Sequence, residues 1–305
     1  MKSGDAAGFS GSDGESLDGE SLKERLQGYG GFIFDLDGVL WQGERPIEGA
    51  AALINGLQEA DIPFRFVSNT SSRSLQETLD KMRGFGFAVG SEQVFVASRE
   101  CARQVAEAAG RGALIYAVGS PGLKQELELA GLEVLKIESS SASPDLETSR
   151  AELADCEYVV CGHDTGFSYE RMRAALWAFI GGAGFAAVNL DATAPAAEGL
   201  IPAGGAIAGA LEVLAGRPPD IMPGKPGPDL LERAARSAGL EPSQCLMVGD
   251  TPEADMAAAR RAGMDSLLVF SGNTAPGDLR EMEEEEKKPD FVLGSLADMH
   301  ALILD

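Results

Sequence analysis

The sequence predicts an α/β fold: a Rossmann-like parallel-sheet core assembled from both ends of the chain, with a second α/β unit inserted between about residues 99 and 199. Three observations carry this. Short, largely apolar runs such as Phe32-Ile33-Phe34, Phe64-Arg65-Phe66-Val67 and Cys245-Leu246-Met247-Val248 read as strands buried on both faces. They alternate with amphipathic stretches of helical length, which implies parallel strands joined by right-handed crossovers. The alternation restarts in mid-chain, and the first pattern resumes beyond a Gly/Pro-rich stretch at 195–205, read as the crossing point between domains.

Taken in order, residues 1–29 open with a Gly/Ser/Asp-rich segment and are expected to be a disordered tail, with a short helix at Leu22–Leu26 leading into the first strand at 31–36. A helix at 49–60 carries the apolar stripe Ala51, Leu53, Ile54 and Leu57. A strand ending at Ser68-Asn69-Thr70, a helix at 74–84 and a strand at 94–97 complete the first part of the core, residues 30–98. The inserted unit, 99–199, has strands at Leu114–Val118, Val134–Ile137, Glu157–Cys161 and Phe185–Val188, helices at 121–130 and 168–180, and a loop at 138–149. The core resumes over 200–305 with helices at 206–215, 228–238, 252–262 and 295–303, and strands at 220–222, 245–248, 266–270 and 290–293.

Composition narrows the function. The 305 residues suffice for two domains with proper cores. A net charge of −23 disfavours nucleic acid or an anionic membrane as partner, and any phosphate site must be built from local cations and backbone N–H groups. No apolar run reaches the ~20 residues needed to span a bilayer, and the first residues lack the apolar core of a signal peptide, so the expected location is the cytoplasm. Four cysteines without a C-x-x-C pair and two histidines argue against a Cys/His zinc site and against a Ser-His-Asp hydrolase. Cys156, Cys161 and Cys245 read as buried free thiols, and the charge run 281–288 as a solvated loop or helix end.

The chemistry-bearing residues fall at strand ends. Phe34-Asp35-Leu36-Asp37-Gly38 runs from a buried strand into two carboxylates at i, i+2, which share a face while the chain stays extended. Two such carboxylates are costly unless a cation compensates them, and Mg²⁺ is the hard cation that oxygen ligands suit. The fragment alone is equally a solvated turn after a core strand. Ser68-Asn69-Thr70 offers hydroxyl and N–H groups for a phosphate, or simply caps a helix. Pro223-Gly224-Lys225-Pro226-Gly227-Pro228 either presents a lysine rigidly or is an exposed turn. Val248-Gly249-Asp250 repeats the strand-to-carboxylate pattern, with Asp255 five residues on, where it could also serve the dipole of a helix start. Together these strand C-termini present Asp/Asp, Ser/Asn, Lys and Asp/Asp, and open parallel sheets bind ligands outside their carboxyl ends.

This ordered set resembles the haloacid dehalogenase-like phosphatases, most closely the subfamily that carries a large α/β cap between its second and third motifs and includes phosphoglycolate, 4-nitrophenyl-phosphate, pyridoxal-phosphate and NagD-type phosphatases. The likeness covers roughly residues 30–303. It implies that Asp35 is the nucleophile forming an aspartyl-phosphate and Asp37 the general acid/base. It also implies that Mg²⁺ is held by Asp35, the backbone carbonyl of Asp37 and Asp250, with Asp255 close behind, and that Ser68, Asn69, Thr70 and Lys225 bind the phosphoryl group. Thr70 stands where many relatives carry a second asparagine, and Ala254 where a threonine is common. The implied activity is Mg²⁺-dependent hydrolysis of a small phosphorylated metabolite (phosphoglycolate, a sugar or glycerol phosphate, a nucleotide or an aryl phosphate), in a homodimer formed through the cap.

Two other readings compete: a non-catalytic protein of this fold that binds Mg²⁺ and a phospho-ligand to regulate, and a phosphoacceptor resembling a response-regulator receiver, against which the inserted unit counts. Within the cap, His163 either contacts substrate or is a structural or solvent-facing histidine, Asn189 and Asp191 read as linker residues, and Trp177 shares a helical stripe with Met172, Leu176 and Ile180 that favours core packing.

Overall fold

The computed structural model describes residues 8–10, 16–17, 19–136, 146–196, 199–282 and 284–304. The chain forms two compact units: one from residues within 1–68, 79–95 and 225–305, the other from 69–78 and 96–224.

The first unit is built on strands β1 (Gly31–Asp35), β2 (Phe64–Ser68), β3 (Val94–Val96), β4 (Cys245–Gly249), β5 (Asp265–Val269) and β6 (Phe291–Leu293), in the sheet order β6-β5-β4-β1-β2-β3. β1 lies at the centre, parallel to β4 on one side and β2 on the other, in the register Phe34↔Val248 and Asp35↔Val67. Every residue of β1 and of β4 is buried, the both-face burial that continuous apolar runs predict. Phe34 and Phe66 stack across the central pair with ring centroids 6.1 Å apart.

Two details of this unit differ from the sequence reading. Gly8–Ser10 pairs antiparallel with β6 and Ser16–Leu17 pairs with it in turn, and Gly19–Gln27 is a helix that buries Leu22 and Leu26. The expected disordered tail is therefore structured over these residues; an edge strand's open N–H and C=O groups accept backbone pairing without an apolar signal in the added segment. The expected helix at 252–262 is instead one π-helical turn, Pro252–Met256, followed by the helix Ala257–Ala262.

The second unit has a parallel four-strand sheet ordered Gly184–Ala187, Tyr158–Cys161, Leu114–Val118, Glu133–Val134. The helix Gly204–Ala215, expected in the core, buries Ile207, Ala208 and Leu211 in the same apolar cluster as Val118, Val159 and Phe185. The expected core strand at 220–222 is a single bridge from Ile221 to Ala186, so this unit runs on to Gly224 rather than ending near 199. Periodicity tells that a helix has an apolar face but not which sheet the face covers. The Gly/Pro-rich crossing stretch holds the antiparallel pair Thr193–Ala196 and Gly199–Pro202. A helix at Leu146–Ala154 begins inside the expected loop, whose earlier part, with Ile137, lies outside the described residues. Trp177 packs against the apolar cluster, as its helical spacing predicts.

Candidate active site

The register of the central strands gathers the chemistry. Asp35 ends β1 beside Val67, which puts Ser68 at the same sheet end, and β4 delivers Gly249 and Asp250 there from the other side. The Lys225 ammonium donates to Asp35 Oδ1 at 2.5 Å and to Asp255 Oδ1 at 2.6 Å. Asp250, Asp255 and Lys225 are only 1–2% exposed, and Asp35 is the most open of the four at 7%.

Each carboxylate is held differently. Asp255 Oδ2 accepts the N–H groups of Asp250 and Thr251, both at 3.1 Å; with Oδ1 on Lys225, both of its oxygens are engaged by protein. The π-helical turn carries Asp255 back over the end of β4 to do this, a use of π geometry common at functional sites. Asp250 Oδ2 accepts the Asn273 N–H at 2.6 Å and its Oδ1 accepts the Thr251 hydroxyl at 3.2 Å, while the Thr274 hydroxyl donates to the Asp250 carbonyl at 2.6 Å. The backbone closes tightly round this group. Gly38 has φ +91°, and a Cβ there or at Gly272 would collide with the Asp250 carboxylate.

Burial raises the Asp35 carboxyl well above the usual range; the Lys225 charge opposes this, and the neighbouring charges of Asp255 and Asp250 add to it. Asp250 is pushed up to about 7, first by burial and then by Asp255. Burial would lower Lys225, but the facing Asp255 and Asp35 outweigh it and hold the ammonium above its ordinary value.

These directions report a deficit of positive charge: within the cluster, three carboxylates meet one ammonium. Oxygens of Asp35, Asp250 and Asp255 lie within 4.8 Å of one another. An all-oxygen, buried, under-compensated donor set fits a hard divalent cation such as Mg²⁺. Asp255 is the most heavily engaged, by the Lys225 ammonium and two N–H groups, whereas the Asp250 oxygens accept one N–H and one hydroxyl and Asp35 Oδ1 accepts from Lys225; Asp35 and Asp250 therefore keep more lone-pair capacity for direct ligation.

The remaining expected residues make further contacts. The Asp37 Oδ1 accepts the Trp41 indole N–H at 2.7 Å. Ser68 is buried at the end of β2. Asn69 and Thr70 belong to the second unit, where the Asn69 amide donates to Asp191 at 3.0 Å and Thr70 Oγ1 lies 3.4 Å from Ser72 Oγ. Ser74 and Glu77 cap the helix Leu75–Gly84 through a reciprocal pair in which Glu77 N–H donates to Ser74 Oγ and Ser74 N–H to Glu77 Oε2. In the same unit the His163 N–H donates to Ser71 Oγ at 3.0 Å, and Asn189 donates to the Asn69 carbonyl at 2.5 Å.

Sequence reasoning missed Thr251, Asn273 and Thr274, which hold Asp250, and Trp41, which holds Asp37. A signal was present. Ser271-Gly272-Asn273-Thr274 follows the apolar run Leu267-Leu268-Val269 as small and polar residues follow the other site strands.

Residues 32–133 match the haloacid dehalogenase-like hydrolase family model and residues 222–299 a HAD-hydrolase-like model. The chain is 33% identical over 273 residues to the 5'-nucleotidase YutF of Bacillus subtilis, a match covering 90% of this chain and 98% of that protein. Its fold is similar to a p-nitrophenyl phosphatase from Archaeoglobus fulgidus, with TM-score 0.79 and 34% identity over 90% of this chain and 98% of the other. It is also similar to a glycerol phosphate phosphatase from Mycobacterium tuberculosis solved in complex with magnesium, with TM-score 0.75 and 27% identity over 90% and 78% of the two chains.

Proposed function

The chain belongs to the haloacid dehalogenase-like hydrolases and is a phosphoric monoester hydrolase; from that premise we propose that it hydrolyses a small phosphorylated metabolite, with Mg²⁺, through an aspartyl-phosphate on Asp35. The observation that carries this reading is the buried cluster of Asp35, Lys225, Asp255 and Asp250, with Asp35 its most exposed member.

Asp35, the Asp37 backbone carbonyl and Asp250 would hold the cation, with Asp255 behind them. When bound, it supplies charge neutralisation for the transferring phosphoryl group. An Asp35 carboxylate oxygen attacks phosphorus; the new O–P bond forms as the ester P–O bond breaks. Asp37 gives its proton to the departing ester oxygen, then takes one from the water that attacks the aspartyl-phosphate, releasing inorganic phosphate and restoring Asp35. The nucleophile must be ionised although burial raises its pKa, and the Lys225 ammonium at 2.5 Å favours the ionised form. Lys225, Ser68, Asn69 and Thr70 bind the phosphoryl oxygens.

The substrate class on this reading is phosphoglycolate, a sugar or glycerol phosphate, a nucleotide or an aryl phosphate. Four free, buried cysteines suit a reducing compartment, which supports a cytoplasmic enzyme. No helix of the described residues is long and apolar enough to cross a membrane. A homodimer through the second unit, which exposes Leu129, Tyr169, Ile180, Leu200 and Val213, belongs to the same reading.

The test is phosphate release from a panel of 4-nitrophenyl phosphate, phosphoglycolate, glycerol phosphate, pyridoxal phosphate, nucleoside monophosphates and sugar phosphates, with Mg²⁺ and with EDTA. Release from at least one member is expected, lost with EDTA and lost by at least about 10⁴-fold in a folded Asp35→Asn variant. A fully active, folded Asp35→Asn protein would sink the nucleophile assignment.

A further inference from the structure

Trp41 lies four residues beyond Asp37, and nothing in the reaction above employs it. The chain makes one tight turn after β1, with Leu40 N–H donating to the Leu36 carbonyl at 2.8 Å. It then enters a short antiparallel pair, Trp41–Gln42 with Arg45–Pro46. Trp41 is fully buried. A buried indole N–H needs an acceptor, and this one donates to a carboxylate, Asp37 Oδ1, at 2.7 Å. The Trp41 carbonyl accepts the Gly38 N–H, also at 2.7 Å. Side chain and main chain of one residue thus grip two consecutive residues of the catalytic turn.

Trp41 is itself held. The Lys81 ammonium lies 5.2 Å from the centre of its ring and 5.7 Å from that of Phe85. The two rings are 5.8 Å apart. The same ammonium donates to the Gly43 carbonyl at 2.7 Å and reaches Glu44 at 3.3 Å, pinning the tip of the antiparallel pair. The Lys81 side chain is only 11% exposed, so this lysine is committed to the hairpin rather than to solvent. Its cation against the indole face is an attraction that strengthens on desolvation.

We propose that Trp41, backed by Lys81, is a positioning residue that fixes the Asp37 carboxyl in the orientation from which it protonates the departing ester oxygen. The indole N–H keeps its own proton throughout. The proton delivered is that of Asp37, and the bond broken is the ester P–O bond. This inference rests on the acid/base role given to Asp37 above.

The experiment compares kcat/KM for 4-nitrophenyl phosphate, whose leaving group needs little protonation, with that for an alkyl phosphate the panel shows to turn over. The variants are Trp41→Phe, Lys81→Met, Asp37→Asn and the double variant Trp41→Phe/Asp37→Asn. Because kcat/KM reports steps up to loss of the leaving group, a misplaced acid penalises the alkyl ester selectively. Trp41→Phe keeps a ring but removes the N–H; the expected loss is about 10-fold or more on the alkyl phosphate and under about threefold on the aryl one. In the Asp37→Asn background it costs less than about twofold on either ester, because its effect runs through Asp37. Lys81→Met shows the same split at about threefold, and carries the test should Trp41→Phe fold poorly. Equal losses on the two esters, or an undiminished loss in the Asp37→Asn background, would mean ordinary core packing and overturn the proposal. An Asp37→Asn enzyme with no selective loss on the alkyl ester would instead defeat the acid/base reading on which it rests.

Discussion

The two units bury polar groups in opposite ways. In the first, Asp35, Asp250, Asp255 and Lys225 face one another, and three carboxylates share one ammonium. In the second, the buried polar side chains serve main-chain groups, except Glu100, whose charge is matched by Arg103. Ser71 accepts the His163 N–H, Ser98 donates to the Arg73 carbonyl, Glu126 accepts the Leu75 N–H and Asn189 donates to the Asn69 carbonyl. The second set is satisfied as it stands and serves to fix loops and a helix start. The first is short of positive charge. Burial of polar groups does not by itself mark a reactive site; an unbalanced charge among them does.

The comparison breaks most visibly at Lys225. Lys225→Met removes the ammonium shared by two buried carboxylates, so the metal-free variant should lose about 3–5 kcal/mol of unfolding free energy, read by urea titration. Mg²⁺ should return part of that loss. Phosphate release should fall at least about 100-fold. A variant as stable as the parent would show that the carboxylates do not depend on this cation.

Asp250→Asn should act the other way on stability. The Asp250 carboxyl is pushed up to about 7 from an ordinary 3.8, so the folded state prefers it protonated. Its stabilising contribution is complete below about pH 4 and drains away as pH rises to about 7. In EDTA, the melting temperature of Asp250→Asn relative to the parent should therefore rise between pH 4 and 7 and then level. Calorimetric Mg²⁺ binding should weaken at least about 10-fold in the variant at pH 7.5. A flat difference across that pH range would remove the charge deficit that sets this unit apart.

How much of this was legible in the sequence differs between the units for the same physical reason. β1 and β4 announce themselves because strands buried on both faces are continuous apolar runs, and their carboxylates stand out immediately after them. Asp35, Lys225, Asp250 and Asp255 could thus be named in advance, and they do converge. What the sequence concealed depends on tertiary partners. The Gly204–Ala215 helix has an apolar face that either sheet could have taken, and Ile221 pairs with Ala186 in a bridge too short to leave a periodic signal. Asn273 serves Asp250 through its backbone N–H, a group every residue but proline carries, so its side chain could not advertise the role. Trp41 reads as one more core aromatic until its N–H is seen on Asp37.

The smallest effect is expected in the second unit, and it tests the other half of the comparison. Glu126 Oε1 accepts the Leu75 N–H at 2.6 Å in a buried setting, at the first residue of the helix Leu75–Gly84. Helix starts leave N–H groups without intrahelical partners, and the Ser74–Glu77 pair answers for other donors there. Glu126→Ala strands the Leu75 N–H and should cost about 1–3 kcal/mol in urea unfolding. It alters no charge in the Asp35 cluster, so kcat on the preferred panel substrate and the Mg²⁺ concentration for half activation should stay within about twofold of the parent. Should activity fall while stability holds, Glu126 would be part of the chemistry, and charge imbalance would no longer separate the reactive buried groups of this protein from the structural ones.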